Sequence, residues 1–569
     1  MQTRFRNLLV VATVILFASC TQSNTLGKLI PKEAAIVVHV DGKSLSAKLP
    51  WEEIKQNPLF KEAYGDSSIP AAMKAILNNP DSAGIDTKSD LLFFAQKDSL
   101  GGYVVFEGTI KDENLFKIFN KQVTENGTES EKDGVNFISK SPLCVGFTKD
   151  KFVYLFDAPQ MNQLDALSKR MQQDSIDVAP VKPRDIGAAC KAIFALKEDN
   201  SLAKNEKFSK LLKETGDIHF WMNTEELSKG AASNPMMAMV NMDKLYKGSL
   251  TTATINFDNG KITVNAKSYV GEELATIYKK YSGGKISEDM IKRMPGKDVV
   301  GLMALNFKPE GIRDLLKMTN LDGIANMGLT YVGFTMDDFI KANKGDVLFG
   351  VSDLTIKTDS VKYDFPGQDE FSSAREKPEF NFVFATSIGD KDAFNKLINA
   401  GKKLGSKELG DSSKVPFAYN SNGTYFTIAN NKENADKYLA GTNASLDFIN
   451  KINGQAFGGY LNLQLLLKTF ETQATKDSSA KIAYDASLKL WDNILMKGGD
   501  FTDGGITQTV EINLMDKTTN SLKQLNQYVA KLGEVYKAQK EKRKAEMMGM
   551  EDVVPAVDTI APALPAKTK

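Results

Sequence analysis

The feature that most constrains this chain is an internal repetition, because six elements recur in the same order in its two halves. A chain that repeats such a succession builds two similar units. Pro31 with the apolar strand Ile36 to Val40 and Asp41 is mirrored by Pro295 with Val299 to Leu305 and Asn306. Gly84 to Phe94 is mirrored by Gly333 to Phe349, where Asp90 and Asp346 lead into similar strands. YVVFEGTIKDENLFKIF from Tyr103 matches FVFATSIGDKDAFNKLI from Phe382, with Ile110, Asp112 and Phe116 falling on Ile388, Asp390 and Phe394 at one constant spacing. Paired strands over Val135 to Phe156 correspond to Val415 to Ile428, where Asn422-Gly423 is a hairpin turn. Ile218 to Asn223, running into Leu227, corresponds to Phe457 to Asn462, running into Leu466, and the hairpin FDNGKIT from Phe257 to FTDGGIT from Phe501.

Within each unit the local signals agree. Asp112 and Asp390 stand where N-caps belong, ahead of the helical stripes Leu115, Phe116, Ile118, Phe119 and Ala393, Phe394, Leu397, Ile398. Strands such as Thr254 to Val264 alternate like those of sheets with one wet face. The expected fold is therefore α+β, an internal duplication of two similar halves, each an antiparallel sheet with helices packed on one face. Repeat half one covers residues 31–285 and repeat half two residues 286–515. A charged C-terminal helix over 516–548 and a solvated, disordered Pro/Ala tail over 549–569 follow. Lys357 to Lys377 reads as a polar insertion that the first half lacks.

The N-terminus reads as a targeting segment. Arg4 and Arg6 precede an apolar run, Leu8 to Ala18, too short to span a bilayer as a helix. Residues 1–19 are thus a signal peptide, and Phe17, Ala18, Ser19 and Cys20 resemble the lipobox of bacterial lipoproteins, with Phe17 where Leu is usual. That resemblance implies cleavage before Cys20, acylation of its thiol, and a short polar tether over residues 20–30. The lipobox, the early Pro with its valine strand, the TIKD junction and the FDNGKIT hairpin together resemble a family of Bacteroidetes envelope lipoproteins catalogued as a domain of unknown function. The resemblance implies an envelope location and a doubled α+β fold, and it brings no catalytic residues. Thr21, Gln22, Ser23 and Asn24 after the cysteine lack the acidic residues of surface-exported members, which favours an outer-membrane anchor facing the periplasm.

Composition excludes some partners. At 42% hydrophobic and 25% charged the chain is of globular type, and 72 basic against 71 acidic residues leave a net charge of +1, which sets nucleic acid aside. Two histidines and two further cysteines give no metal-ligand pattern, and no phosphate loop or nucleophile elbow is present, so neither metal nor cofactor is expected. Cys144 and Cys190 either close a disulfide in an oxidising compartment or remain buried thiols.

Features present in one half only mark where function is free to be added. His39 and His219 have Ala304 and Gly458 as counterparts, and His219 shares a strand face with Trp221. They form either a polar site on an open sheet face or histidines tolerated on a half-exposed strand. Met236, Met237, Met239 and Met242 form either an adaptable partner groove or an irregular core. The functional expectation is a lipid-anchored, non-enzymatic binding or structural module whose partners are the membrane and an envelope protein or ligand. The alternative is a glycan hydrolase with carboxylates assembled by the fold, which requires two carboxyls about 5 to 9 Å apart in one cleft.

Overall fold

Short turns between strands enforce antiparallel pairing, and every strand pair among the described residues is antiparallel. The computed structural model describes residues 26–65, 71–158, 183–229, 241, 243–363, 371–408, 417–441, 444–475 and 478–551. The N-terminal half supplies β1 (Ile36–Asp41), β2 (Asp90–Asp98), β3 (Gly101–Thr109), β4 (Thr128–Lys132), β5 (Val135–Lys140), β6 (Leu143–Phe147), β7 (Lys151–Asp157), β8 (Ile218–Asn223), β9 (Leu250–Asp258) and β10 (Lys261–Tyr269). The C-terminal half supplies β11 (Val299–Asn306), β12 (Asn343–Tyr363), β13 (Phe371–Ile388), β14 (Ala418–Ser421), β15 (Tyr425–Ala429), β16 (Phe457–Asn462), β17 (Trp491–Thr502) and β18 (Gly505–Leu514).

All belong to one antiparallel sheet, in the spatial order β4-β5-β6-β7-β3-β2-β1-β8-β9-β10-β18-β17-β16-β11-β12-β13-β15-β14. β1 sits between β2 and β8, and β11 between β12 and β16. The halves meet along β10 and β18, where the register runs from Lys261 opposite Asn513 to Tyr269 opposite Gly505, with Asn265 opposite Thr509 at its centre. The hairpin from β17 to β18 turns through Asp503 and Gly504, both at positive φ (47° and 78°), the backbone that suits a two-residue turn.

The expected caps form: Asp112 accepts from the Leu115 amide at 2.9 Å and Asp390 from the Ala393 amide at 2.8 Å. Behind them Phe116 and Phe394 are buried. The layering departs from the expectation of helices on one face. Alternate residues of β7 divide between two cores: Val153 and Leu155 pack with Cys190 and Ile193 of the helix Ile186–Phe194, whereas Phe152 and Tyr154 pack with Phe116 of the helix Glu113–Val123. In the C-terminal half Ala429 packs with Ala435 and Tyr438, and Phe426 with Phe394. A strand apolar at every position has no wet face, so helices cover it from both sides.

The polar stretch Lys357 to Lys377 is not a loop inserted between elements. Most of it is strand, with Lys357 opposite Lys377 and Tyr363 opposite Phe371 in a long hairpin of β12 and β13. The terminal helix runs Ser521–Glu551 and packs back on the other half. Lys523 pairs with Glu53 at 2.7 Å, Asn57 donates to the Asn526 carbonyl at 3.0 Å, and Gly533 is pressed against Leu59. No helix among the described residues is long and apolar enough to cross a membrane.

Candidate functional site

The second, outer core of the N-terminal half is not fully closed. Residues two apart on a strand share a face, so Leu91 and Phe93 of β2, Val104 and Phe106 of β3, and Tyr154 and Phe156 of β7 form rows on one side of the sheet. The helix Glu113–Val123 covers one end of these rows with Phe116 and Phe119. At the other end Phe93, Val104 and Phe156 stay exposed, Phe156 by 43%. Between covered and uncovered ends lies a pocket of about 460 Å³, lined by Leu91, Phe106, Leu143, Tyr154 and Phe156 from the sheet and Phe119 and Val123 from the helix. Ile76, Pro80, Ala83, Ile85 and Thr87 complete its wall. That volume lies in the range of small-molecule sites, and no charged side chain among the described residues lines it.

One polar feature interrupts the apolar lining. Tyr154 is only 8% exposed, and its hydroxyl lies beside the Asn120 side chain. Burial pushes its phenol well above the ordinary range, with a hydrogen bond to the Asn120 side chain opposing. Asn120 is itself fully buried, and its Nδ2 donates to the Phe116 carbonyl at 2.8 Å. Asn120 lies behind the lining, so the phenol donor and the amide-oxygen acceptor face each other within the wall and not the pocket.

The histidines are brought together, though not at a surface. His39 of β1 faces His219 of β8 across the ladder, their Nδ1 atoms 2.9 Å apart, and both are about 95% buried on the inner core side beside Trp221. The readings of an open polar face and of a half-exposed strand both give way to a buried latch. Burial holds the His219 imidazole below its ordinary value, and its Nε2 donates to the Glu214 carbonyl at 2.9 Å. Its Nδ1 faces His39 Nδ1, and His39 Nε2 lies 3.0 Å from Asp90 Oδ1. The hydrogen bond with His39 holds the Asp90 carboxyl below the usual carboxylate range, against the effect of burial. Trp221, 1% exposed, packs edge-on against Phe208 and offers no surface to a partner.

Cys144 and Cys190 are both buried free thiols, not a disulfide. They meet where β6 packs on the helix Ile186–Phe194, and the hydrogen bond between them, with burial, keeps Cys190 protonated. Ser139 Oγ lies 3.1 Å from Cys144 Sγ. Cys20 and the methionines Met236, Met237, Met239 and Met242 lie outside the described residues.

Sequence reasoning missed Tyr154, Leu143 and Phe156. The available signal was the run Phe152 to Phe156, apolar on both faces of one strand, which demands cover on both sides and leaves a pocket where cover falls short.

The family described as a domain of unknown function (DUF4836) has a model that matches residues 27–432, more than half of the 569-residue chain. No curated protein matches. Among solved structures, crystal form III of TP0453 is similar at 8% identity with a TM-score of 0.23, covering 46% of this chain and 88% of that one. Crystal form IV of TP0453 gives 9% identity and a TM-score of 0.22, covering 46% and 87%.

Proposed function

We propose a function from the premise that this chain belongs to the DUF4836 family, a domain of unknown function: it is a non-enzymatic binding module of the cell envelope, anchored by lipid on Cys20. Its ligand site is the apolar pocket beside Tyr154. The observation that carries the binding reading is that pocket of about 460 Å³, apolar in its lining and bordered by the exposed Phe156. Apolar surface left exposed beside it at Phe93 and Val104 supports the same reading, since soluble domains seldom expose contiguous apolar area without use. The test is titration of the full chain carrying Cys20→Ala with the fluorescent probe 1-anilinonaphthalene-8-sulfonate. Emission should rise on binding and fall in both Leu143→Trp and Ile76→Trp, which fill the pocket from opposite walls. Equal emission from wild type and both variants, all folded by circular dichroism, would refute the site.

The anchor rests on the targeting segment and the lipobox-like Phe17 to Cys20, and acylation supplies firm attachment because each buried methylene contributes about 0.8 kcal/mol. Cys20→Ala should release the protein from the membrane fraction and abolish incorporation of a fatty-acid label. Membrane residence unchanged by the substitution, with no label on the wild type, overturns it. Placement on the outer membrane, facing the periplasm, belongs to the same proposal.

The body is proposed to be an internal duplication. Strand pairing supports it: the order β7-β3-β2-β1-β8-β9-β10 runs in one half as β15-β13-β12-β11-β16-β17-β18 runs in the other. His39 opposes His219 as their counterparts Ala304 and Gly458 oppose each other. Across the junction, Lys261 faces Asn513 while Tyr269 faces Gly505, the exchange that a two-fold axis between Asn265 and Thr509 produces.

The hydrolase alternative has one foothold, since Asp322 and Asp337 line the same cleft of about 330 Å³. Asp337 is largely exposed and ion-paired to Arg313, an environment opposite to the shielded carboxyl that a glycosidic acid needs.

A further inference from the structure

The helix Asp322–Tyr331 is apolar on both of its sides, yet the fold covers only one of them. Leu329 packs against Val332 and Phe334, with Ala325 one turn earlier half-buried on the same side. Ile324, Met327 and Tyr331, spaced i, i+3 and i+7, share the other side and are 59%, 70% and 71% exposed. A helix apolar all round belongs in an interior, so the open side calls for a second surface. The one charged residue of the helix, Asp322, lines the cleft that holds Arg313 and Lys317 and leaves this side uncharged. The helix also contains no lysine or arginine, whereas helices that lie on anionic membranes carry a basic face. A protein surface is the better match.

The relief of that side selects the partner. Gly323, Met327 and Tyr331 follow at intervals of four and form one ridge graded from small to large. A Cβ at Gly323 or at Gly328 would meet nothing within 4 Å among the described residues, so packing within the chain does not ask for glycine there, although glycine weakens a helix. We propose that a second copy of this chain docks on this face, helix against helix and antiparallel, with the two-fold axis at Met327. Pairing about that residue sets Tyr331, four positions after it, over Gly323 of the second copy, four positions before it, and the same contact repeats on the other side of the axis. Met327 then meets its own counterpart, and the bare backbone at Gly328 lets the two helices approach. A two-fold contact requires one patch to complement itself, and an uncharged patch sets no like charges against each other.

The experiment is sedimentation velocity of the full chain carrying Cys20→Ala, from about 5 to 500 µM, the range that a contact smaller than a standard interface requires. A monomer should give way to a dimer across that range. Met327→Glu sets two carboxylates against each other at the axis and should weaken the dimer at least tenfold. Gly323→Leu fills the recess that receives Tyr331 and should weaken it about fivefold, with both variants keeping the wild-type circular dichroism spectrum and melting temperature because both positions are exposed. Met327→Cys should form a covalent dimer under mild oxidation, whereas Glu433→Cys, exposed on the helix Lys432–Ala440, should not. A chain that stays monomeric throughout overturns the proposal, and binding of that monomer to phosphatidylethanolamine–phosphatidylglycerol vesicles, lost in Met327→Glu, would assign the face to lipid instead. A dimer unaffected by Met327→Glu and Gly323→Leu, or equal crosslinking of the two cysteine variants, places the contact elsewhere and overturns it as well.

Discussion

Glu107 points from β3 toward the inner core of the N-terminal half, where one carboxylate oxygen has no partner. Burial pushes its carboxyl from the ordinary 4.5 up to about 7, with Lys151 opposing. The sign of the linkage follows. Below 4.5 the group is protonated in both states and costs nothing. Between 4.5 and about 7 the unfolded chain releases the proton while the folded chain keeps it, so stability falls as pH rises; above that window the loss is complete, roughly 3 kcal/mol. Glu107→Gln cannot ionise and should remove that slope, as read by urea unfolding at pH 4.5, 6 and 8; an unchanged slope would show that other groups set it. Arg184 makes the opposite use of charge. Its guanidinium donates to Asp98 at 2.6 and 2.8 Å and to Asp157 at 2.8 Å, tying β2 to the end of β7 with a fork that lysine lacks.

At the scale of elements, the terminal helix Ser521–Glu551 matters more than its charged sequence suggests. It leaves the sheet after β18 and crosses to the helices Trp51–Lys55 and Pro58–Gly65, where Lys523 pairs with Glu53 and Lys540 with Glu62. The helix Glu272–Tyr281, which follows β10, crosses in the opposite sense: Lys280 and Tyr281 bond Asp314 of the helix Pro309–Met318. Each half thus lends a helix to the other. Gly533 sets how closely the longer helix approaches, because a Cβ there would lie 2.4 Å from Leu59 Cγ. Alanine ordinarily favours a helix over glycine by about 1 kcal/mol, and overpacking costs about 1 to 3. The contact is with a branched carbon rather than a flexible tip, so overpacking wins, and Gly533→Ala should lose roughly 1 kcal/mol in thermal melts. Adding Leu59→Ala should recover that loss relative to Leu59→Ala alone; simple additivity of the two effects would show that the helices do not meet there.

For the whole molecule, the junction of β10 and β18 joins the halves by backbone hydrogen bonds as well as by exchanged helices. A half on its own presents an unpaired edge strand along Lys261–Tyr269 or Gly505–Leu514 and an uncovered helix surface, both of which favour aggregation. Fragments 20–285 and 286–569, produced separately, should be insoluble or poorly folded, and co-expressed they should co-purify as a 1:1 complex with a native-like circular dichroism spectrum. Two soluble, independently melting fragments would mean that the junction is a contact between finished domains.

What the sequence determined by itself is what depends on neighbours along the chain. The strand runs, the caps at Asp112 and Asp390, and the turn at Asp503 and Gly504 all follow from local sterics, local hydrogen bonds and periodicity. The antiparallel sheet follows from the same signals. Tertiary structure decided which faces of the strands are covered, because cover is supplied by elements distant in sequence. Phe152 to Phe156 states that both faces are apolar, and only the reach of the helix Glu113–Val123 leaves a pocket at Tyr154. The histidines show the same division: His39 and His219 are 180 residues apart and Asp90 lies 51 from His39, so their buried hydrogen-bonded row exists only once β2, β1 and β8 lie side by side. A polar atom's role is set by the partner it meets, and the fold, not the adjacent sequence, chooses that partner.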